Sequence, residues 1–344
     1  MNAGPFLSVV VITSRHREFV ADALGSIRRQ TLPRERYELL VVRDYDDEAL
    51  ERLVTGMGGR TLSVPPGDIG PAIAAGVSAS RGELLSFLDD DDRFVPEKLE
   101  RVVERFRADP ELGFLKNGYA VIDSDGRRLP EAGFRAGERA ASSRLGPVLL
   151  HGSRDIPKLR TLPALGVGFN SSTMTIRRGP LEAFLRHLDL TGFRLLDELA
   201  FYAGLASDLT LRFDPEILTE YRIHAQNVSS RPGRERDPLA GRAAFSRVIV
   251  PSYVKLWQAT QALGKPLVEE EAHALVEVER GYALLRDPAS TRSHFLQALR
   301  TLRRWNHTYV ARSERPLALA LPLFVLSPYL GRRLYARRVR ASEP

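Results

Sequence analysis

The chain has 344 residues, 43% hydrophobic and 27% charged, an ordinary globular balance with ample material for a core. It has no cysteine, which excludes disulfides, thiolate metal sites and a cysteine nucleophile; any metal must be held by Asp, Glu, His or a substrate phosphate. The net charge of +7 is uneven: residues 331–344 carry five arginines and one acid, +4, and the other 330 residues carry only +3.

The N-terminus has no basic stretch followed by a long apolar one, as expected for a cytoplasmic protein. Leu7 to Thr13 is a near-continuous apolar, β-branched run and predicts a strand buried on both faces. A helix follows with Phe19, Val20, Ala23, Leu24 and Ile27 inward. Glu38 to Val42 predicts a second buried strand, Asp47 to Val54 a helix, and Thr61 to Val64 a short strand. Gly67-Asp68 opens an Ala-rich helix to Ala79, and Glu83 to Leu88 is another buried strand. This β-α-β-α-β-α-β order predicts a parallel sheet with helices on both faces. Ligands of such sheets bind at the carboxyl ends of the strands, which places 13–17, 43–46 and 89–92 on one rim.

Pro96 to Arg107 predicts a helix, 112–122 a strand, and Ser124-Asp125-Gly126 a turn. Residues 130–166, rich in Gly, Pro, Arg and Ser, read as a long acceptor-side loop or an ill-ordered insertion. Thr173 to Ile176 is a strand, Gly179 to Leu188 and Leu195 to Leu205 are helices, and Leu209 to Phe213 and Leu218 to Arg222 are two extended pieces. From 239 to 309 the alternation stops and three helices are expected, a separate helical appendage.

The strongest local signal is Asp89-Asp90-Asp91-Asp92, at the end of a buried strand. Four adjacent carboxylates repel one another there unless a cation sits among them. Mg²⁺ or Mn²⁺ bridging one or two carboxylates to a diphosphate meets that requirement. The competing reading, an acidic cap for the helix near Pro96, needs one aspartate rather than four.

These residues resemble a known family. Phe87-Leu88-Asp89-Asp90-Asp91-Asp92-Arg93-Phe94-Val95-Pro96-Glu97-Lys98-Leu99 is similar to the DxD region of family 2 glycosyltransferases, F-L-D-x-D-D-x-x-x-P-x-x-L. Val9-Val10-Val11-Ile12-Thr13-Ser14-Arg15-His16-Arg17 resembles V-V-I-P-T-Y-N-R, and Glu38-Leu39-Leu40-Val41-Val42-Arg43-Asp44 resembles E-I-I-V-V-D-D. Leu196-Asp197-Glu198-Leu199 stands where the family has an acidic pair, and Tyr221-Arg222-Ile223-His224 resembles Y-R-x-H. The resemblance covers residues 7–230. It implies an α/β fold of the GT-A type, a mixed sheet flanked by helices, and transfer of a sugar from a UDP- or GDP-type donor to a hydroxyl.

The resemblance also implies roles. Asp91, Asp89 and His224 hold a divalent metal, Mn²⁺ or Mg²⁺. Thr13, Ser14, Arg15, Arg17, Asp44, Asp89, Asp90 and Arg222 bind the donor. Asp197 or Glu198 is the catalytic base; Glu198 takes the position of the family's aspartate. Three departures stand out. Arg43 replaces the first of two paired aspartates, Ala72-Ile73-Ala74-Ala75-Gly76 lacks the Arg and Asn of A-R-N-x-G, and Asp197-Glu198 reverses the usual Glu-Asp.

Independently of the family, inverting transfer needs a carboxylate to deprotonate the acceptor and positive charge to hold the departing diphosphate. A sugar nucleotidyltransferase would share the acidic rim but needs a glycine-rich triphosphate loop, and residues 13–18 contain no glycine. A basic nucleic-acid-binding protein is the other alternative. No RNA-binding aromatic motif accompanies the charge, so no nucleic acid is expected.

Pro316 to Leu330 has no charged residue but is too short for a bilayer span, which takes about 20 apolar residues. It is broken by Pro322 and Pro328 and flanked by Arg315 and the tail arginines, with Tyr329 and Tyr335 at the boundary. Two readings follow. One is a peripheral anchor on an anionic membrane at the inner face of the cell membrane, which implies a lipid-linked rather than a soluble glycan acceptor. The other is a segment buried on the helical appendage. The expected organisation is therefore 1–230, a GT-A domain; 231–314, the helical appendage; and 315–344, the apolar segment and basic tail.

Overall fold

The computed structural model describes residues 7–14, 17–130, 146–162, 165, 170–224, 227 and 238–309, with 326, 327, 331, 333–335 and 337 beyond them. Arg15 and most of 316–330 lie outside these residues.

Four strands, β1 (Leu7–Thr13), β2 (Tyr37–Arg43), β3 (Arg60–Ser63) and β4 (Leu84–Asp89), pair in parallel in the order β3-β2-β1-β4. Between them run α1 (Arg17–Arg28), α2 (Glu48–Gly56) and α3 (Ile69–Ala79). Asp47 caps α2 by accepting from the Leu50 N–H at 2.9 Å, which fixes where β2 hands over to helix. Chain alternation sorts the core into two layers. Val9, Val11, Leu39 and Val41 face one way with Val20, Leu24 and Ile27 of α1. Val10, Leu40 and Val42 face the other way with Ile73 and Val77 of α3. A Cβ at Gly76 would stand 2.7 Å from Val10 Cγ1, so the glycine lets α3 lie down on the sheet.

The sheet continues in mixed fashion. Next come β5 (Arg93–Phe94), α4 (Lys98–Ala108), β6 (Leu112–Ile122), β7 (Val148–His151), α5 (Ile156–Leu159), β8 (Met174–Arg177), α6 (Arg178–Leu185), α7 (Leu196–Ala206) and β9 (Thr210–Arg222). β8 pairs antiparallel with β4 and β6, β6 pairs parallel with β9, and β5 and β7 pair antiparallel with β9. The purely parallel sheet expected from the strand–helix alternation is thus confined to its first four strands; the family-type mixed sheet is the observed one. The two extended pieces expected at 209–213 and 218–222 are one strand, β9. Register shifts opposite Asn117 and Gly118 absorb the change of partner from β7 to β5 along it. Residues 130–166 are not all loop, since β7 and α5 lie within them.

The C-terminal helices are α8 (Pro238–Ala262), α9 (Pro266–Arg286) and α10 (Arg292–Arg304). α8 and α9 do not stand apart. Ile249, Leu256 and Ala259 of α8, with Val268 and Ala272 of α9, belong to the same buried cluster as Val10, Phe87 and Met174 of the sheet. Arg160 pairs with Glu271 at 2.6 Å and with Glu270 at 2.5 Å across that seam. α10 packs outermost, on a smaller cluster with Val278, Tyr282 and Trp305.

Candidate active site

Strand register assembles the rim. Thr13 pairs with Arg43 and Ile12 with Asp89, so β1, β2 and β4 end level with one another. The four aspartates occupy the turn after β4 and are held from several sides. Asp90 accepts from the Ser14 N–H at 3.2 Å. Asp92 Oδ1 accepts from the Arg222 N–H at 2.9 Å and is buried. Asp89 Oδ1 accepts from the Ser171 hydroxyl at 2.7 Å, and its N–H donates to the Ser172 hydroxyl at 3.0 Å. Asp91 Oδ2 lies 3.0 Å from His224 Nε2 and 3.4 Å from Asn227 Nδ2.

Asn227 acts as a clip. Its carbonyl oxygen accepts from the His224 N–H at 2.5 Å and its amide donates to the Arg222 carbonyl at 3.0 Å, which orients His224 toward Asp91. Phe19 wedges behind them, 4.8 Å from the His224 ring and 4.7 Å from the Arg222 guanidinium. That guanidinium is buried beneath the aspartate turn. It donates to the Asp91 carbonyl at 2.7 Å, to the Asp123 and Ser124 carbonyls, and to Asp22. Arg222, expected on the donor, lies beneath the aspartate turn and holds its backbone. The Arg17 backbone opens α1 behind it.

Of the expected donor-binding residues on the other strand ends, Thr13 shares a 2.9 Å hydrogen bond with the Tyr45 hydroxyl, and Asp44 is half-buried with no hydrogen bond or ion pair among the described residues. Arg43 is turned away: buried, it reaches the Tyr45 carbonyl, Asp46 at 3.3 Å and Glu51 at 3.2 Å. The substitution of the first paired aspartate is therefore absorbed inside the loop and α2, leaving Asp44 at the rim.

Electrostatics reflects the crowding. Burial pushes Asp89 up to about 7, with the Asp91 charge the next cause and Asp90 and Asp197 adding to it, against the Ser171 hydrogen bond. The charge of Asp197, in the first turn of α7, thus reaches Asp89. Glu198 is inside instead, with the Tyr253 hydroxyl of α8 donating to it at 3.4 Å. Burial raises its pKa well above the usual carboxylate range, and the Asp197 charge raises it further. Lys98, fully buried under the turn, donates to the Ser172 carbonyl and, at 3.1 Å, to Thr219 Oγ1. Burial pushes its pKa well down, while Asp92 pulls it back up.

Among the described residues no three His, Asp or Glu side chains form a ready-made cation cage. The donor set nonetheless fits a hard divalent ion. Burial and the neighbouring carboxylates together raise the Asp89 pKa, a cost that a cation would relieve, and such ions need only one or two protein carboxylates when a diphosphate supplies the rest.

Sequence reasoning missed several of these residues. Asn227 follows His224 by three positions and carried a local signal; helical periodicity placed Phe19 inward without pointing to the site, and Asp22 and Tyr253 carried no signal. Asn170 is also notable. It is buried with φ 66°, neither its amide nitrogen nor its oxygen has a partner among the described residues, and it immediately precedes the Ser171–Thr173 turn that grips Asp89.

Residues 8–178 match the family model described as glycosyl transferase family 2. The chain belongs to glycosyl transferase family 2. Its curated relatives include an uncharacterized glycosyltransferase of Nostoc, 26% identical over 37% of this chain and 40% of that protein. Another, from Haemophilus influenzae, is 33% identical over 32% of this chain and 37% of that one. The chain thus spans about two-fifths of the length of these relatives. Among solved structures it is similar to S. aureus TarS 1-349 in complex with UDP-GlcNAc, with 15% identity, 98% of this chain and 91% of that one covered, and TM-score 0.56. It is also similar to the mannosyltransferase PcManGT of Pyrobaculum calidifontis in complex with GDP-Man and Mn²⁺, with 16% identity, coverage of 98% and 86%, and TM-score 0.51. These likenesses establish the GT-A fold of this family 2 chain.

Proposed function

We propose that the chain transfers a sugar from a nucleoside-diphosphate donor to a hydroxyl acceptor, with inversion and with a divalent cation. The observation that carries this reading is the gathering of Asp89, Asp90, Asp91 and Asp92 at the carboxyl end of β4, where His224 Nε2 meets Asp91 Oδ2 at 3.0 Å, with the charge of Asp197 also acting on Asp89. The two neighbours whose complexes are with UDP-GlcNAc and with GDP-Man and Mn²⁺ support a donor of the same class.

Asp91 and His224, with Asp89 beside them, hold the cation, which would neutralise the charge developing on the departing diphosphate. Thr13, Ser14, Asp44 and Asp90 form the donor side of the rim, with Asp44 at the nucleotide base. Asp197 takes the acceptor proton as the acceptor oxygen forms its bond to the anomeric carbon. The bond from that carbon to the diphosphate breaks with its electron pair on the leaving oxygen. Asp197 suits the task better than Glu198 because its charge acts on Asp89 at the rim, whereas Glu198 is buried and held toward its protonated form. Glu198 and Tyr253 then fix Asp197 from behind.

The tail reading adds a peripheral anchor at an anionic membrane and a lipid-linked acceptor. Among the described residues no helix is long and apolar enough to cross a membrane. Tyr335 is buried against α9 and α10, its hydroxyl accepting from Arg286 Nε at 3.1 Å, so this tail residue serves the helical packing.

Calorimetric titration of UDP or GDP in EDTA and then in Mn²⁺ tests the metal. Tighter binding in Mn²⁺, with that gain lost in Asp91→Asn, is expected. Equal affinity in both conditions overturns the assignment.

A further inference from the structure

Charge along the chain divides more sharply than the tail alone suggests. Residues 288–344 hold eleven arginines, no lysine and two glutamates, net +9, which leaves −2 on the 287 residues before them. The first part of this stretch is α10, which has no acidic residue.

Helical geometry separates α10 into two faces. Phe295, Ala298 and Leu302 point into the cluster with Val278, Tyr282 and Trp305. Arg292, Leu296, Arg300, Arg303 and Arg304 are exposed. At about 100° per residue, with Arg292 at zero, Arg303, Leu296, Arg300 and Arg304 follow at roughly 20°, 40°, 80° and 120°. The outer face is therefore an arginine arc with a leucine, 40% exposed, inside it.

Some exposed arginines elsewhere find acids, as in Arg52–Glu48, Arg101–Glu104 and Arg280–Glu277. The side chains of Arg292, Arg300 and Arg303 make no ion pair or hydrogen bond among the described residues, and Arg304 lies over the Trp305 ring at 5.6 Å. The tail joins the same module through buried Tyr335. On either side of it Arg333, Leu334 and Arg337 are exposed, and Leu326 further back is 73% exposed.

We propose that the outer face of α10, with the exposed tail residues around Tyr335, is a docking surface for an anionic lipid bilayer. This deepens the membrane part of the proposed function by placing the contact on a folded helix rather than on the tail alone. Arginines meet anionic head groups while Leu296, Leu326 and Leu334 enter the boundary with the acyl chains. Nucleic acid would use the same arginines but gains little from exposed leucines set among them, because its affinity comes from the phosphates.

The test is sedimentation of the full chain with phosphatidylcholine vesicles, with and without phosphatidylglycerol, together with its affinity for duplex DNA and RNA. Expected are binding to the anionic vesicles only, weakening with salt, and a loss of about a hundredfold in R292Q/R300Q/R303Q, at roughly fivefold per arginine. The lysine counterpart R292K/R300K/R303K should retain binding, and Leu296→Ser should weaken it several-fold. Unchanged UDP or GDP affinity in these variants shows that the fold and donor site are intact, so failure here is distinct from failure of the glycosyltransferase reading. Three outcomes overturn the proposal: equal vesicle binding by parent and glutamine variant, loss of binding on truncation after Glu314 with no effect of the α10 variants, or tighter binding to nucleic acid than to vesicles.

Discussion

A carboxylate that takes a proton at neutral pH must be ionised and must face the hydroxyl it serves. Asp197 and Glu198 are adjacent in sequence and act on each other, but Glu198 is buried against Tyr253 whereas Asp197 is half-buried and its charge also acts on Asp89. Asp197→Asn should lower kcat by about 10²-fold or more with donor affinity retained. Glu198→Gln, which keeps a hydrogen-bonding side chain of the same length, should lower it less; steady-state kinetics with separate donor titration distinguishes the two. The reverse order of effects would make Glu198 the base. Glu198 also carries a pH signature. Its folded pKa lies above the usual 4.5, so its contribution to stability is fully present below about 4.5 and is lost as pH rises through the folded value. The melting temperature of Glu198→Gln should accordingly fall less than that of the parent between mildly acidic and alkaline pH.

At the scale of elements, α7 reaches the rim because the segment before it is tied to α3. A Cβ at Gly70 would stand 1.8 Å from the Leu190 carbonyl oxygen, closer than any side chain can approach. Beside this contact Asp68 pairs with Arg194, two residues before α7 begins, and the Arg194 N–H donates to Ser252 of α8 at 3.1 Å. Gly70→Ala must push the 188–195 segment outward. The expected result is a loss of stability of about 1–3 kcal/mol by denaturant melt and a fall in kcat through displaced Asp197. An unchanged melt would show that the segment yields without cost. The same reasoning explains β9, whose single length carries both the packing that supports α7 and, at its end, the Arg222 that supports the aspartate turn.

At the scale of the molecule, α8 and α9 complete the domain rather than hang from it. They supply Ile249, Leu256, Val268 and Ala272 to the sheet's own core, Glu271 to Arg160, and Tyr253 to Glu198. Fully burying a Val, Leu or Ile side chain stabilises by about 1.5–3 kcal/mol, so losing Ile249, Leu256 and Val268 alone costs roughly 5–9 kcal/mol, a large share of the roughly 5–15 kcal/mol that typical domains have to lose. Residues 1–230 expressed alone should therefore be insoluble or fail to melt cooperatively, as circular dichroism and gel filtration would show. A cooperative fold of that fragment would establish the 230 boundary as a true domain border.

Several features were legible from the residues in order. Strands buried on both faces read as continuous apolar runs, helices as three- and four-residue spacing, and a run of four aspartates at a strand end stands out because its electrostatic cost is local. The parallel half of the sheet and the positions of the aspartate turn, the acidic pair and the Tyr-Arg-Ile-His segment follow from such local signals. Tertiary structure alone decided what depends on neighbours distant in sequence. It set the direction in which Arg43 and Arg222 point, the exchange of environment between Asp197 and Glu198, and the arrival of Tyr253 beside Glu198. It also joined two expected strands into β9 and merged α8 and α9 with the sheet's core. The physical reason is the same in each case. A periodic pattern encodes which face of an element is apolar, whereas the element that will cover that face, and the charges that element brings, are settled only when the chain packs.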